Sequence, residues 1–116
     1  MKIFIYGTLK KRHCRSGIMR GEFLGEAKTT ANYKMYSCGA YPALVEDKNG
    51  IEIEGELWDV DESLLLNLDQ IEGVPYLYDR KSVRLSTHDF KDVITYLFQQ
   101  SVDNLLECGS KWIGKK

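Results

Sequence analysis

Residues 61–73 carry the one long helical periodicity in this chain, and almost everything else is short, alternating and punctuated by glycine. That contrast limits the fold. Many short strands around one good helix give an α+β domain. At about 100° per residue, Leu64, Leu65, Leu68 and Ile71 form an apolar stripe. Asp59 or Asp61 is placed to cap the first turn, and Gly73 stands where a helix-ending glycine belongs. Glu72 projects between Leu68 and Leu65, inside the stripe. A carboxylate facing the core, at the negative end of the helix dipole, is disfavoured as a charge on both counts. A general base for an amine needs that environment. The plainer alternative is a glutamate that snorkels to water or meets an arginine such as Arg80.

The strands follow from alternation. Residues 2–6 alternate around Ile3 and Ile5 and stop at Gly7. Residues 22–27 and the threonines after them give a second strand, with Gly25 as a bulge. Residues 32–37, 43–45 and 51–60 give three more. The Asn49-Gly50 pair before the last of these is a hairpin signal. Residues 78–85 and 93–99 supply two further strands, joined through residues 86–89. Residues 17–20 fit a helical turn, and residues 103–109 fit either a helical turn or a loop. Six or seven strands in one short domain must hide their edges, which predicts a small barrel of mixed strands with flanking short helices.

With 116 residues, the expectation is a single domain over residues 1–116 with one modest core. A hydrophobic share of 43% argues against disorder. No apolar run nears the roughly 18–20 residues of a membrane span, and the apolar start is too short for a signal peptide. A formal net charge of −1 argues against a dedicated nucleic-acid binder, which needs a basic face. Lys10, Lys11, Arg12 and Arg15 form a local basic cluster, read as a solvated loop or as an attractor for an anionic substrate. Cys14, Cys38 and Cys108 match neither a disulfide framework nor a zinc pattern, so a reducing cytoplasm is expected. A nucleophilic Cys14 beside His13 is the catalytic alternative to structural thiols.

Common catalytic sets are missing. The chain has no Gly-x-Ser-x-Gly elbow, no phosphate loop and too few histidines for a zinc centre. What remains is the turn Tyr6-Gly7-Thr8-Leu9 at the end of the first strand. Backbone N–H groups in such a turn can face a carboxylate or an oxyanion, or the glycine can simply end the strand.

Taken together, Tyr6-Gly7-Thr8-Leu9-Lys10, Gly39-Ala40-Tyr41-Pro42-Ala43-Leu44, residues 53–61, Leu68-Asp69-Gln70-Ile71-Glu72-Gly73, Tyr78-Asp79-Arg80 and residues 93–98 form one ordered pattern. It resembles the gamma-glutamylcyclotransferase-like family over nearly the whole length, closest to the gamma-glutamylamine cyclotransferase branch. The resemblance implies a compact mixed-strand barrel with a pocket at its mouth. It assigns the catalytic glutamate to Glu72 and the backbone amides that hold the gamma-glutamyl group to Tyr6, Gly7, Thr8 and Leu9. The family often ends Gly-Asp-Trp; this chain has Gly109-Ser110-Lys111-Trp112, which bears on the packing of the tail and one pocket wall.

The implied reaction is internal aminolysis. The substrate's α-amine attacks its own γ-carbonyl, 5-oxoproline forms and the amine portion leaves. No metal or organic cofactor is required. Tyr41, Tyr78 and Tyr96 are candidates to line the pocket and offer hydroxyls, against a plain packing role. Arg80 is placed to meet a substrate carboxylate or a partner across the sheet, and Asp69 stands at the edge of the apolar stripe. The expected partner is a small gamma-glutamyl amide. The leaving amine and the choice between monomer and homodimer stay open. The rival readings are a non-catalytic small-molecule binding module on the same barrel and an interaction protein with an aromatic surface.

Overall fold

The computed structural model describes residues 1–10, 17 and 19–113. Its elements run β1 (Lys2–Ile5), β2 (Glu22–Lys28), β3 (Tyr33–Ser37), β4 (Pro42–Glu46), β5 (Glu54–Asp59), α1 (Glu62–Ile71), β6 (Tyr78–Ser82), β7 (Val93–Phe98) and β8 (Leu106–Glu107). This is the α+β architecture expected. The strands form a five-stranded sheet in the order β2-β5-β1-β7-β6 and a three-stranded sheet in the order β4-β3-β8.

β1 is the centre of the larger sheet. It runs antiparallel to β5 and parallel to β7, so the sheet is mixed. Ile3, Phe4 and Ile5 are each buried, because both faces of this strand are covered. Phe4 and Tyr6 point into a core between the two sheets, with Met35, Leu44, Leu57, Val93, Leu97 and Trp112. Ile3 and Ile5 point the other way, to a second core under α1 with Trp58, Val60, Leu64, Leu65 and Leu68. Each fully buried leucine of α1 is worth about 1.5–3 kcal/mol relative to exposure, and this seam fixes the helix on the sheet.

The small barrel expected does not close among the described residues: the larger sheet is open, and its two edges touch at one end only. Past β2 and β6, the two edges of the large sheet meet at a Thr29–Leu85 bridge. The Thr30 amide donates to the Arg84 carbonyl at 2.9 Å, and that of Ser86 to the Lys28 carbonyl at 2.8 Å. Gly25, at φ +123°, makes the bulge that shifts the register of β2 against β5.

Three sequence expectations differ from the structure. Residues 47–50 do form a tight turn, with the Gly50 amide donating to the Asp47 carbonyl at 2.9 Å. Its flanking strands, however, do not form a hairpin. β4 pairs with β3, Ile51 bridges Tyr33, and β5 enters the large sheet between β1 and β2. The segment at 103–109 turns at Val102–Leu105 and then pairs as β8 with β3. Lys10 is not solvated, as shown below. Lys11, Arg12, His13, Cys14, Arg15 and Ile18 lie outside the described residues, and with them the basic cluster, the Cys14–His13 alternative and part of the helical turn at 17–20. Among the described residues no helix is long and apolar enough to cross a membrane.

Candidate active site

One end of α1 meets the end of β1. Asp61 caps the start of the helix, its Oδ1 accepting from the Leu64 amide at 2.8 Å. At the other end the Gly73 amide donates to the Gln70 carbonyl at 3.3 Å and the Val74 amide to the Asp69 carbonyl at 3.0 Å. Gly73 adopts φ +67°. This paired closure needs a left-handed residue one step past the cap, which glycine adopts freely. Glu72 is therefore the C-cap residue, fixed in place by backbone bonds on both sides, and it is half-buried.

Beyond Ile5 the chain turns tightly, the Lys10 amide donating to the Gly7 carbonyl at 3.1 Å. Among the described residues, no acceptor takes the backbone N–H of Gly7, Thr8 or Leu9. Thr8 and Leu9 are buried. A third element joins from the β3–β4 hairpin, whose loop is closed by the Cys38 amide on the Tyr41 carbonyl at 2.9 Å. It carries Tyr41 and Pro42.

These pieces line a partly open cavity of about 70 Å³, well above the roughly 10–15 Å³ that holds a single water. Tyr6, Gly7, Thr8, Leu9, Tyr41, Glu72, Tyr78 and Tyr96 all line it. Sequence reasoning missed Phe4, Ile5, Pro42, Ile71 and Leu77, which complete the wall. Pro42 and Ile71 stood inside the quoted motifs; nothing local marked Leu77.

Three of the cavity's four tyrosine hydroxyls, those of Tyr6, Tyr78 and Tyr96, are committed as donors within the protein. Tyr6 donates to the Tyr96 carbonyl, Tyr78 to the Pro42 carbonyl, and Tyr96 to Asp69 Oδ1 at 2.8 Å. Each oxygen keeps only acceptor capacity. Burial, then the neighbouring Tyr78 and Glu72, hold the Tyr6 phenol well above its ordinary pKa. Burial and the bond to Asp69 do the same for Tyr96, with Glu72 adding to it. Both are neutral phenols within the electrostatic reach of Glu72.

Arg80 meets Asp69 rather than the open cavity, Nη2 to Oδ2 at 3.0 Å. Lys10, expected in a solvated loop, is 4% exposed. Its Nζ donates to the Trp112 carbonyl at 2.8 Å, which ties the turn after β1 to the segment at Trp112. Burial lowers its pKa first, Lys111 adds to that, and Glu56 and Glu54 oppose it. The altered tail is well packed: Trp112 joins the inter-sheet core, and Ser110 bonds Glu54 through both its carbonyl (2.7 Å) and its hydroxyl (3.1 Å). Among the described residues no group of three or more His, Cys, Asp or Glu side chains is placed to hold a metal ion.

Known proteins are similar to this chain in sequence and in fold. A Vibrio cholerae protein, whose name places it provisionally among the gamma-glutamylcyclotransferases, is 34% identical over 112 residues, covering 92% of this chain and 91% of its own. The solution structure of ytfP from Escherichia coli matches at a TM-score of 0.73 and 28% identity, over 97% of this chain and 96% of that one. An AIG2-like protein from Mus musculus has the same fold at a TM-score of 0.80 and 24% identity, over 94% of this chain and 86% of that one. The model of the family described as gamma-glutamyl cyclotransferase, AIG2-like, matches residues 3–113, so that β1 from Ile3 onward, the turn after it, α1 and the residues lining the cavity all fall inside the match, and the chain belongs to that family.

Proposed function

We propose that this protein is a cyclotransferase that releases 5-oxoproline from a gamma-glutamyl amide, with Glu72 as general base and then general acid. One observation carries this reading: the Glu72 side chain and the turn at Gly7, Thr8 and Leu9 line the same small cavity. A residue able to accept a proton and a turn able to offer backbone donors border one compact volume.

The chemistry then needs no protein nucleophile. The substrate folds so that its α-nitrogen lies near its γ-carbonyl carbon. Intramolecular alignment of this kind contributes about 7–11 kcal/mol. Glu72 takes a proton from the α-ammonium, and the freed lone pair attacks the γ-carbon. A new carbon–nitrogen bond closes the five-membered ring, and the carbonyl oxygen gains negative charge. The amides of Gly7, Thr8 and Leu9 are the donors for that oxygen; losing one such donor costs about 10²–10³ in rate in comparable sites. The bond to the leaving nitrogen then breaks, and Glu72 returns its proton to the departing amine.

The test is 5-oxoproline release from a panel of gamma-glutamyl amides by the purified protein. Glu72→Gln keeps the shape and removes the base. It is expected to fold as the parent does and to lose about 10²–10⁴ in turnover. A variant that keeps its rate removes Glu72 from the chemistry. Binding of amides without any release by the parent supports the non-catalytic module instead.

A further inference from the structure

The side chain of Asp69 joins three elements. One carboxylate oxygen accepts from the Tyr96 hydroxyl at 2.8 Å, and the other meets Arg80 Nη2 at 3.0 Å. Asp69 lies on α1, Tyr96 on β7 and Arg80 on β6. The Asp69 side chain is only 16% exposed. It stands three residues before Glu72, which puts it on the same helix face.

A phenol has one proton to give. Here that proton goes to Asp69, and the guanidinium on the far oxygen keeps the carboxylate turned toward the ring. The Tyr96 oxygen therefore offers lone pairs, and nothing else, to any further neighbour. Tyr96 lines the cavity, and the charge of Glu72 reaches its hydroxyl. A neutral oxygen with no proton to spare, beside a carboxylate, suits a cationic donor and offers nothing to an anion.

We propose that Tyr96 accepts a hydrogen bond from the substrate α-ammonium, and that Asp69, anchored by Arg80, is the positioning residue that holds Tyr96 in that role. The inference rests on the cyclotransferase reading for the identity of its ligand. With one N–H on Tyr96 and another on Glu72, the ammonium is held by two acceptors while a proton leaves for Glu72. Without Asp69, the Tyr96 O–H is free to swing toward Glu72 and to occupy the carboxylate that the substrate needs.

The test compares two ligands by calorimetry: L-glutamine, which carries the α-ammonium, and glutaramate, the same skeleton without it. The ratio of the two dissociation constants cancels any general loosening of the cavity, so a merely structural role leaves it unchanged. The parent is expected to bind L-glutamine about tenfold more tightly or better, the scale of a charge-assisted hydrogen bond. Tyr96→Phe and Asp69→Asn are each expected to narrow that ratio about fivefold, and the double variant to go no further than Tyr96→Phe alone, as for residues acting as one unit. Equal binding of the two acids by the parent overturns the inference, as does an unchanged ratio in Tyr96→Phe. A ratio that narrows in Tyr96→Phe but not in Asp69→Asn removes Asp69 from its positioning role. Release of 5-oxoproline, followed in parallel, separates the two levels. Parent turnover with unchanged ratios sinks this inference alone; absence of release from every amide sinks the cyclotransferase reading, and the binding ratio still decides this one.

Discussion

At Gly7 space, rather than backbone freedom, demands glycine. A Cβ there would stand 2.8 Å from Pro42 Cγ and 3.0 Å from Cδ. Pro42 is not free to retreat, because it begins β4 and its carbonyl takes the Tyr78 hydroxyl. An added methyl therefore displaces the turn and carries the Thr8 and Leu9 amides with it. Gly7→Ala is expected to fold and to lose about tenfold to hundredfold in kcat/KM, since a misplacement of about 1 Å costs about that much. Melting curves and initial rates of 5-oxoproline release check it; a variant at parental rates shows that this turn takes no part in the reaction. Glu72 was legible in the sequence because the stripe that singles it out lies within one helix. The hydroxyl partners of the tyrosines were not, because Tyr96 and Asp69 are 27 residues apart and Tyr6 and Tyr96 are 90 apart. Lys10 was misread for the same reason. Its burial depends on a carbonyl 102 residues away.

Among the elements, α1 is the one whose boundaries could be read most closely. Its stripe, its Asp61 cap and its Gly73 stop are all local, and all three are in the structure. Strand existence was legible by alternation, but strand partnership was not. The Asp47–Gly50 turn forms, yet β4 and β5 go to different sheets, because the buried faces of Gly55 and Leu57 belong against β1. β8 is two residues long, too short for any period to show. The caps of α1 also divide its roles. The N-terminal cap holds the helix, while the C-terminal end carries Glu72 and the Asp69–Tyr96–Arg80 contacts. Asp61→Ala is expected to cost about 1 kcal/mol of stability, lowering the melting temperature by roughly 4 °C for a domain of about this size. Turnover by the folded fraction should be unchanged. A large loss of kcat at a temperature where the variant is fully folded contradicts that division.

Across the whole molecule, tyrosine hydroxyls fasten elements that the two cores leave side by side. Tyr6 joins the end of β1 to β7, Tyr78 joins β6 to β4, and Tyr96 joins β7 to α1. A phenol used this way must keep its proton. Tyr6 and Tyr96 are both raised above the ordinary tyrosine value, with burial the largest cause. In the unfolded chain they ionise near pH 10. Their contribution to stability is therefore complete below about pH 10 and is lost as pH rises above it, because the unfolded state then sheds protons that the folded state retains. Lys10 acts in the opposite sense. Its lowered value means the unfolded chain binds the extra proton between the folded and unfolded values, so its part of the stability rises with pH over that interval. Of the seven tyrosines in the chain, at least these two should contribute phenolate absorbance only when the fold is lost. An alkaline titration followed by phenolate absorbance and by circular dichroism together is expected to show a late absorbance step that coincides with unfolding. Complete ionisation of all seven tyrosines while the circular dichroism stays native would mean that these hydroxyls do not fasten the molecule as described.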